Sequence, residues 1–108
     1  MGIEPFRDWI PTHPGEMLRE DVIPALNRSK SEIARLLGLS RETLYKVLRE
    51  EQPVTRDLAA RLGKLCGNGP AIWLRLQAEH DAWHAAQIDV THIPTLKVDS
   101  ASDEKDAA

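Results

Sequence analysis

Apolar residues in this chain keep the three- and four-residue spacing of helices as far as Gln87, and a two-residue spacing after it. From Pro14 to Val22, Met17, Leu18 and Val22 form one stripe. Pro14 suits a first helical turn, where its missing N–H costs nothing. Glu16 suits the positive end of the dipole, and Pro24 is expected to end or kink this helix. A second helix is predicted over Lys30 to Leu37, with Ile33, Leu36 and Leu37 inward. Ser29 and Glu32 form a capping box, each side chain able to serve the other's backbone N–H, and Gly38 supplies a left-handed C-cap. Ser40 then caps a third helix, Arg41 to about Arg49, with Leu44, Val47 and Leu48 inward. Two short helices joined by a three-residue, glycine-containing turn make a helix-turn-helix.

Pro53 breaks the chain, and Thr55 caps a fourth helix from Arg56 to Cys66, with Leu58, Leu62 and Leu65 inward. "GNGP" stops it, and a fifth helix runs from Pro70 to Gln87 with Ile72, Trp73, Leu76 and Trp83 on a broad apolar face. Ile88, Val90, Leu96 and Val98 alternate, which predicts a short edge strand over 88–99, bent by Pro94. Trp9 and Ile10, in an extended arm over 1–13, are its expected partner. Residues 100–108 read as a disordered acidic tail. The pattern predicts an all-α domain, a five-helix bundle with a helix-turn-helix and a short C-terminal strand.

Composition sharpens this only locally. The chain has 108 residues, enough for one domain, and a net charge of -3. From Arg28 to Arg49, however, six basic residues stand against two acids, a local charge of +4. Local basic potential, not the total, governs approach to a phosphate backbone. The exposed face of the third helix offers Ser40, Arg41, Glu42, Thr43, Tyr45, Lys46 and Arg49. Arg41 can donate twice to guanine, Glu42 can accept from cytosine, and Thr43 can meet thymine or a phosphate. Lys46 and Arg49 can hold phosphates or reach a further base. Ser29, Lys30 and Ser31 open the second helix, whose free N–H groups suit a phosphate. Double-stranded DNA is the partner these groups fit. A solvated polar face on a helical bundle is the plain alternative.

Other chemistry is sparse. His80 and His84 lie one helical turn apart beside Asp81, but no third metal ligand is evident. Cys66, the single cysteine, reads as a small hydrophobe. Neither a nucleophile elbow nor a glycine-rich phosphate loop occurs. No enzyme activity, cofactor or metal is expected. No apolar run nears the ~18 residues of a membrane span, and the N-terminus lacks a signal-like apolar stretch. A cytoplasmic protein is expected.

"HPGEMLRED" (13–21), "SEIARLLGLSRETLYKVL" (31–48), "TRDLAARLGKLCG" (55–67) and "WLRLQAEHDAW" (73–83) together resemble the HigA-type antitoxins of the Xre-like helix-turn-helix group. That resemblance implies a lambda-repressor-like fold and a dimer that represses its own promoter. It also implies a partner toxin, an mRNA-cleaving protein of the HigB type in the RelE/ParE superfamily. It places DNA contacts at Ser40, Thr43 and Lys46, with Arg41 and Glu42 beside them. It gives the fifth helix, through Trp73, Leu76 and Trp83, a role in the homodimer. Residues 14–87 are thus expected to form a DNA-binding and dimerisation domain. One departure stands out. The family often carries a glycine and a lysine after the recognition helix, where this chain has Glu50 and Glu51. Two acids there weaken phosphate contact, or lower non-specific binding alone. A stand-alone Xre-like repressor, and a toxin-binding module that has lost DNA binding, are the rival readings.

Overall fold

The computed structural model describes residues 11–98. Most of the expected arm and the whole expected tail lie outside the described residues. Five helices form. The first, α1, covers residues 14–26 as two α-helical pieces, Pro14–Met17 and Ile23–Leu26, with a π-helical turn, Leu18–Val22, between them. Then follow α2 (Lys30–Leu37), α3 (Arg41–Leu48), α4 (Arg56–Cys66) and α5 (Ala71–Ala85).

The expected end of α1 at Val22 is corrected. A proline ring collides with the carbonyl four residues back in a regular α-helix. Here the turn ahead of Pro24 is wound wider, with the Ile23 N–H donated to Leu18 five residues back. The helix survives the proline and stops at Asn27, which takes the left-handed conformation (φ 56°, ψ 41°). Its start is built by "HPGE". The His13 Nδ1 accepts from the Gly15 N–H at 2.8 Å, and Pro14 follows as first helical residue. A side chain at residue 15 would place its Cβ 2.0 Å from the Val47 carbonyl oxygen. Only glycine lets α1 cross the end of α3 so closely.

The helix-turn-helix is capped largely as its residues predict. Ser29 accepts from the Glu32 N–H at 3.1 Å. The Glu32 carboxylate, expected to return the favour, instead takes the Arg28 guanidinium at 2.6 Å. Gly38 (φ 75°) closes α2 in a Schellman motif, its N–H on Arg35 and the Leu39 N–H on Ala34. Ser40 caps α3 through the Thr43 N–H at 3.0 Å, and Thr55 caps α4 through Leu58.

One core joins the helices. Trp73, Ile33, Leu44, Leu62 and Val47 are its largest fully buried side chains. Burial of each stabilises the fold by about 1.5–3 kcal/mol. Helix α1 packs on α3 and α5, α2 on α3 and α4, and α4 on α5. Gln77 and His13 are the polar residues admitted. The Gln77 Oε1 accepts from the Val54 N–H at 2.7 Å, tying α5 to the loop before α4.

The predicted strand does not form among the described residues. Ile88, Val90, Leu96 and Val98 are all exposed, and no ladder partner meets them. Alternation predicts a strand only where a neighbouring strand can complete its hydrogen bonds. The Asp89 carboxylate accepts from the Thr91 N–H and Oγ1, turning the chain at once instead of extending it. The expected partners Trp9 and Ile10 fall outside the described residues.

Candidate nucleic-acid interface

All ten residues expected at a DNA surface are exposed or half-exposed. The turn at Gly38–Ser40 folds the start of α3 back beside α2, so residues distant in sequence meet. The Arg41 guanidinium donates to the Ser31 Oγ at 3.3 Å, joining the first turns of the two helices. The Lys30 ammonium lies 5.8 Å from the centre of the Tyr45 ring, a second link between them. Ser40 donates its hydroxyl proton to Thr43 Oγ1 at 2.9 Å while its oxygen caps the helix. Ser29 and Ser31 frame Lys30 at the start of α2.

Charge pairing divides the cations. Arg28 and Arg35 both face Glu32, at 2.6 and 3.8 Å. Lys46 faces Glu42 at 3.6 Å, and Arg49 faces Glu51 at 2.9 Å. Lys30 and Arg41 have no ion pair among the described residues. These two, at the leading ends of α2 and α3, are the cations best placed to receive a polyanion without breaking a pair. Arg49 is the least available of the expected set. Its hydrogen bonds to Glu51 raise its pKa above the ordinary arginine value and lower that of Glu51.

The acids after α3 have partners. Glu51 holds Arg49, and Glu50, in the left-handed conformation (φ 64°), lies 3.4 Å from Arg19. Arg19 also donates to the Leu48 carbonyl, the last of α3. Arg61 of α4 does the same for α2, donating to the Leu37 carbonyl at 2.8 Å. Each helix of the pair thus ends on a guanidinium from another helix, where the dipole favours positive charge. These contacts fix the angle at which α3 is presented. Sequence reasoning missed both. Asp57–Arg61 reads as an ordinary i,i+4 surface pair, and Arg19 carries no signal of a partner 29 residues on.

The face of α5 needs correction. Trp73 is wholly enclosed by its own chain, its indole N–H donated to Asn68 at 3.1 Å. It offers a second chain no surface. Leu76 and Trp83 remain half-exposed. Gln77, not predicted inward, takes a core position because it satisfies Val54 and Asp81 together.

Comparison with known proteins bears on this geometry. No family model matches the chain. An uncharacterized HTH-type transcriptional regulator of Haemophilus influenzae is 32% identical over 73 residues, 68% of each chain. The Pseudomonas aeruginosa antitoxin HigA, solved with the higBA promoter, superposes with a TM-score of 0.70 at 30% identity, over 82% of this chain and 99% of that one.

This chain is a HigA-type antitoxin family member.

A Nostoc punctiforme protein ascribed to the antidotes of plasmid maintenance systems adds to the match. It is 34% identical with a TM-score of 0.69, over 92% of this chain and 94% of that one. In this HigA-type fold the helix-turn-helix therefore comprises α2 and α3, with α3 in the place of the recognition helix. No helix among the described residues is long and apolar enough to cross a membrane.

Proposed function

We infer that the chain is the antitoxin of a type II toxin–antitoxin module. It binds a palindromic operator as a homodimer, represses its own operon, and binds and neutralises a HigB-type mRNA-cleaving toxin of the RelE/ParE superfamily in the cytoplasm. The carrying observation is the joined leading edge of α2 and α3. Arg41, Ser31 and Lys30 stand there without carboxylate partners among the described residues. A likeness to an antitoxin solved with its promoter supports that use.

In this reading Arg41, Thr43, Ser40 and Lys46 face base edges, with Tyr45 and Glu42 alongside. Ser29, Lys30 and Ser31 hold one phosphate, and Arg49 reaches another only by leaving Glu51. The two half-exposed residues of α5, Leu76 and Trp83, meet across the two-fold axis. Half-sites then lie about 34 Å apart or a multiple of it. Glu50 and Glu51 are held by arginines, so they do not stand as unpaired charge against the backbone.

Fluorescence anisotropy on the protein's own upstream DNA, beside a scrambled fragment at two salt concentrations, tests the reading. Tight binding to the upstream fragment alone, weakening with salt, is expected. Equal weak binding to both would remove the operator. For the toxin, expression of a co-transcribed neighbouring reading frame should arrest growth, and this chain should relieve it. Absence of arrest would leave a stand-alone repressor.

A further inference from the structure

Seven large apolar side chains stand exposed among the described residues, and five belong to one segment. Ile88, Val90, Ile93, Leu96 and Val98 are 53–80% exposed, and none packs on the chain's own core. Isolated exposed apolar residues are ordinary, but a run of this kind marks an interaction surface. The segment is shaped. Asp89 holds Thr91 through both its N–H and hydroxyl, and the Ile93 N–H is donated to the Val90 carbonyl at 2.9 Å. Side chains alternate sides along an extended chain, so Leu96 and Val98 share one side. The Nostoc match leaves fewer residues unmatched than this segment contains, so it extends into the segment.

A sixth exposed apolar residue, Leu36, lies elsewhere, at the lip of a groove between α2 and α4. The groove is about 400 Å³, lined by Leu36, Leu37, Ala60 and Leu65, with the Lys64 ammonium and the Asp57-paired Arg61 beside them. Apolar lining and an adjoining ammonium describe the occupant. It should bring aliphatic side chains followed by acids. Residues 88–98 bring the aliphatic side chains, and Asp99, Asp103, Glu104 and Asp106 follow them in the sequence. Within one molecule the two do not meet, since Leu36, Leu96 and Val98 are all exposed together.

We propose that residues 88–98 form a strap that crosses to a second copy of this chain and seats its aliphatic side chains in that copy's α2–α4 groove. Each copy gives one strap and offers one groove, and a mutual exchange about the two-fold axis fills both grooves. The strap lies across the C-terminal end of α2 and holds the two recognition helices in fixed relation. It rests on the homodimer proposed above, and adds to α5 a second, reciprocal interface.

Sedimentation of the full chain, of a Leu96→Asp/Val98→Asp variant and of Leu36→Glu tests it. Both variants should raise the dimer dissociation constant at least tenfold with helix content unchanged. Leu36→Gln serves in place of Leu36→Glu should the charged variant lose helix. A dimer indifferent to both changes overturns the strap while keeping the α5 dimer. A dimer weakened by the strap variant but not at Leu36 overturns the groove as its seat. A monomeric full chain overturns the dimer itself, and the strap with it.

Discussion

In α2 and α3 the residues that start and stop the helices do so by local chemistry. Ser29 and Ser40 cap, Gly38 turns, and Ile33, Leu44, Val47 and Leu48 go inward at the expected spacing; the exception is Leu36, expected inward, which is exposed while Ala34 takes the buried position beside Ile33. In α5 and the segment after it, local chemistry decides little. Apolar residues surround α5, and the core admits Trp73 and Gln77 while leaving Leu74 out. Which face turns inward there is set by a partner distant in sequence, the Val54 N–H held by Gln77, while Trp73 takes the nearer Asn68. The two regions show where a sequence specifies structure by itself. It does so when capping, turn chemistry and apolar spacing agree. It does not when the deciding contact is one long-range hydrogen bond.

Substitutions can break this contrast, and the largest effects belong to α5. Trp73→Ala should cost about 3–5 kcal/mol in denaturant unfolding, because nothing fills the space left in the core. A cost below that of an exposed substitution would mean Trp73 is not enclosed. Gln77→Leu keeps the bulk but strands the Val54 N–H, for a loss of about 1–3 kcal/mol. A neutral result in the same assay would show that the long-range bond does not choose the face of α5.

The helix-turn-helix should respond more mildly. Ser40→Ala removes one local cap, worth about 1 kcal/mol. Hydrogen exchange should rise in the first turn of α3 and leave α4 and α5 protected; a global rise would show that the cap supports more than its own helix. The smallest effect concerns pH. Burial, and then the neighbouring His80 charge, hold the His13 pKa below its ordinary value of 6.5, against the opposite pull of Glu50 and Asp81. The unfolded chain therefore binds more protons at His13 than the folded one. Its contribution to stability is complete above pH 6.5 and is lost as pH falls through the folded value. His13→Asn retains a cap that does not titrate there. Its melting temperature should fall less steeply on acidification than the native chain's, and parallel curves would contradict the assignment.

Most of the fold was legible. Ser29, Gly38, Ser40 and Thr55 each mark a boundary through one backbone bond to a near neighbour. The continuation of α1 past Pro24 was not, because a π turn relieves the proline and leaves no residue-level signature. The strand was misread because the alternation in Ile88–Val98 meets no neighbouring strand among the described residues to complete a ladder. For the candidate site, residue types and exposure were legible. The Arg41–Ser31 link and the two arginines that end α2 and α3 were not. They depend on how the helices cross, which no local pattern encodes.

The central claim is that the leading face of α3 reads bases. It is tested most directly by the affinities of the native chain and Arg41→Ala across an operator set with every base pair varied singly. The account predicts that Arg41→Ala loses about 1–3 kcal/mol of discrimination at one base pair per half-site, with the other positions unchanged. A loss spread evenly over all sequences would contradict it and reduce Arg41 to a phosphate contact.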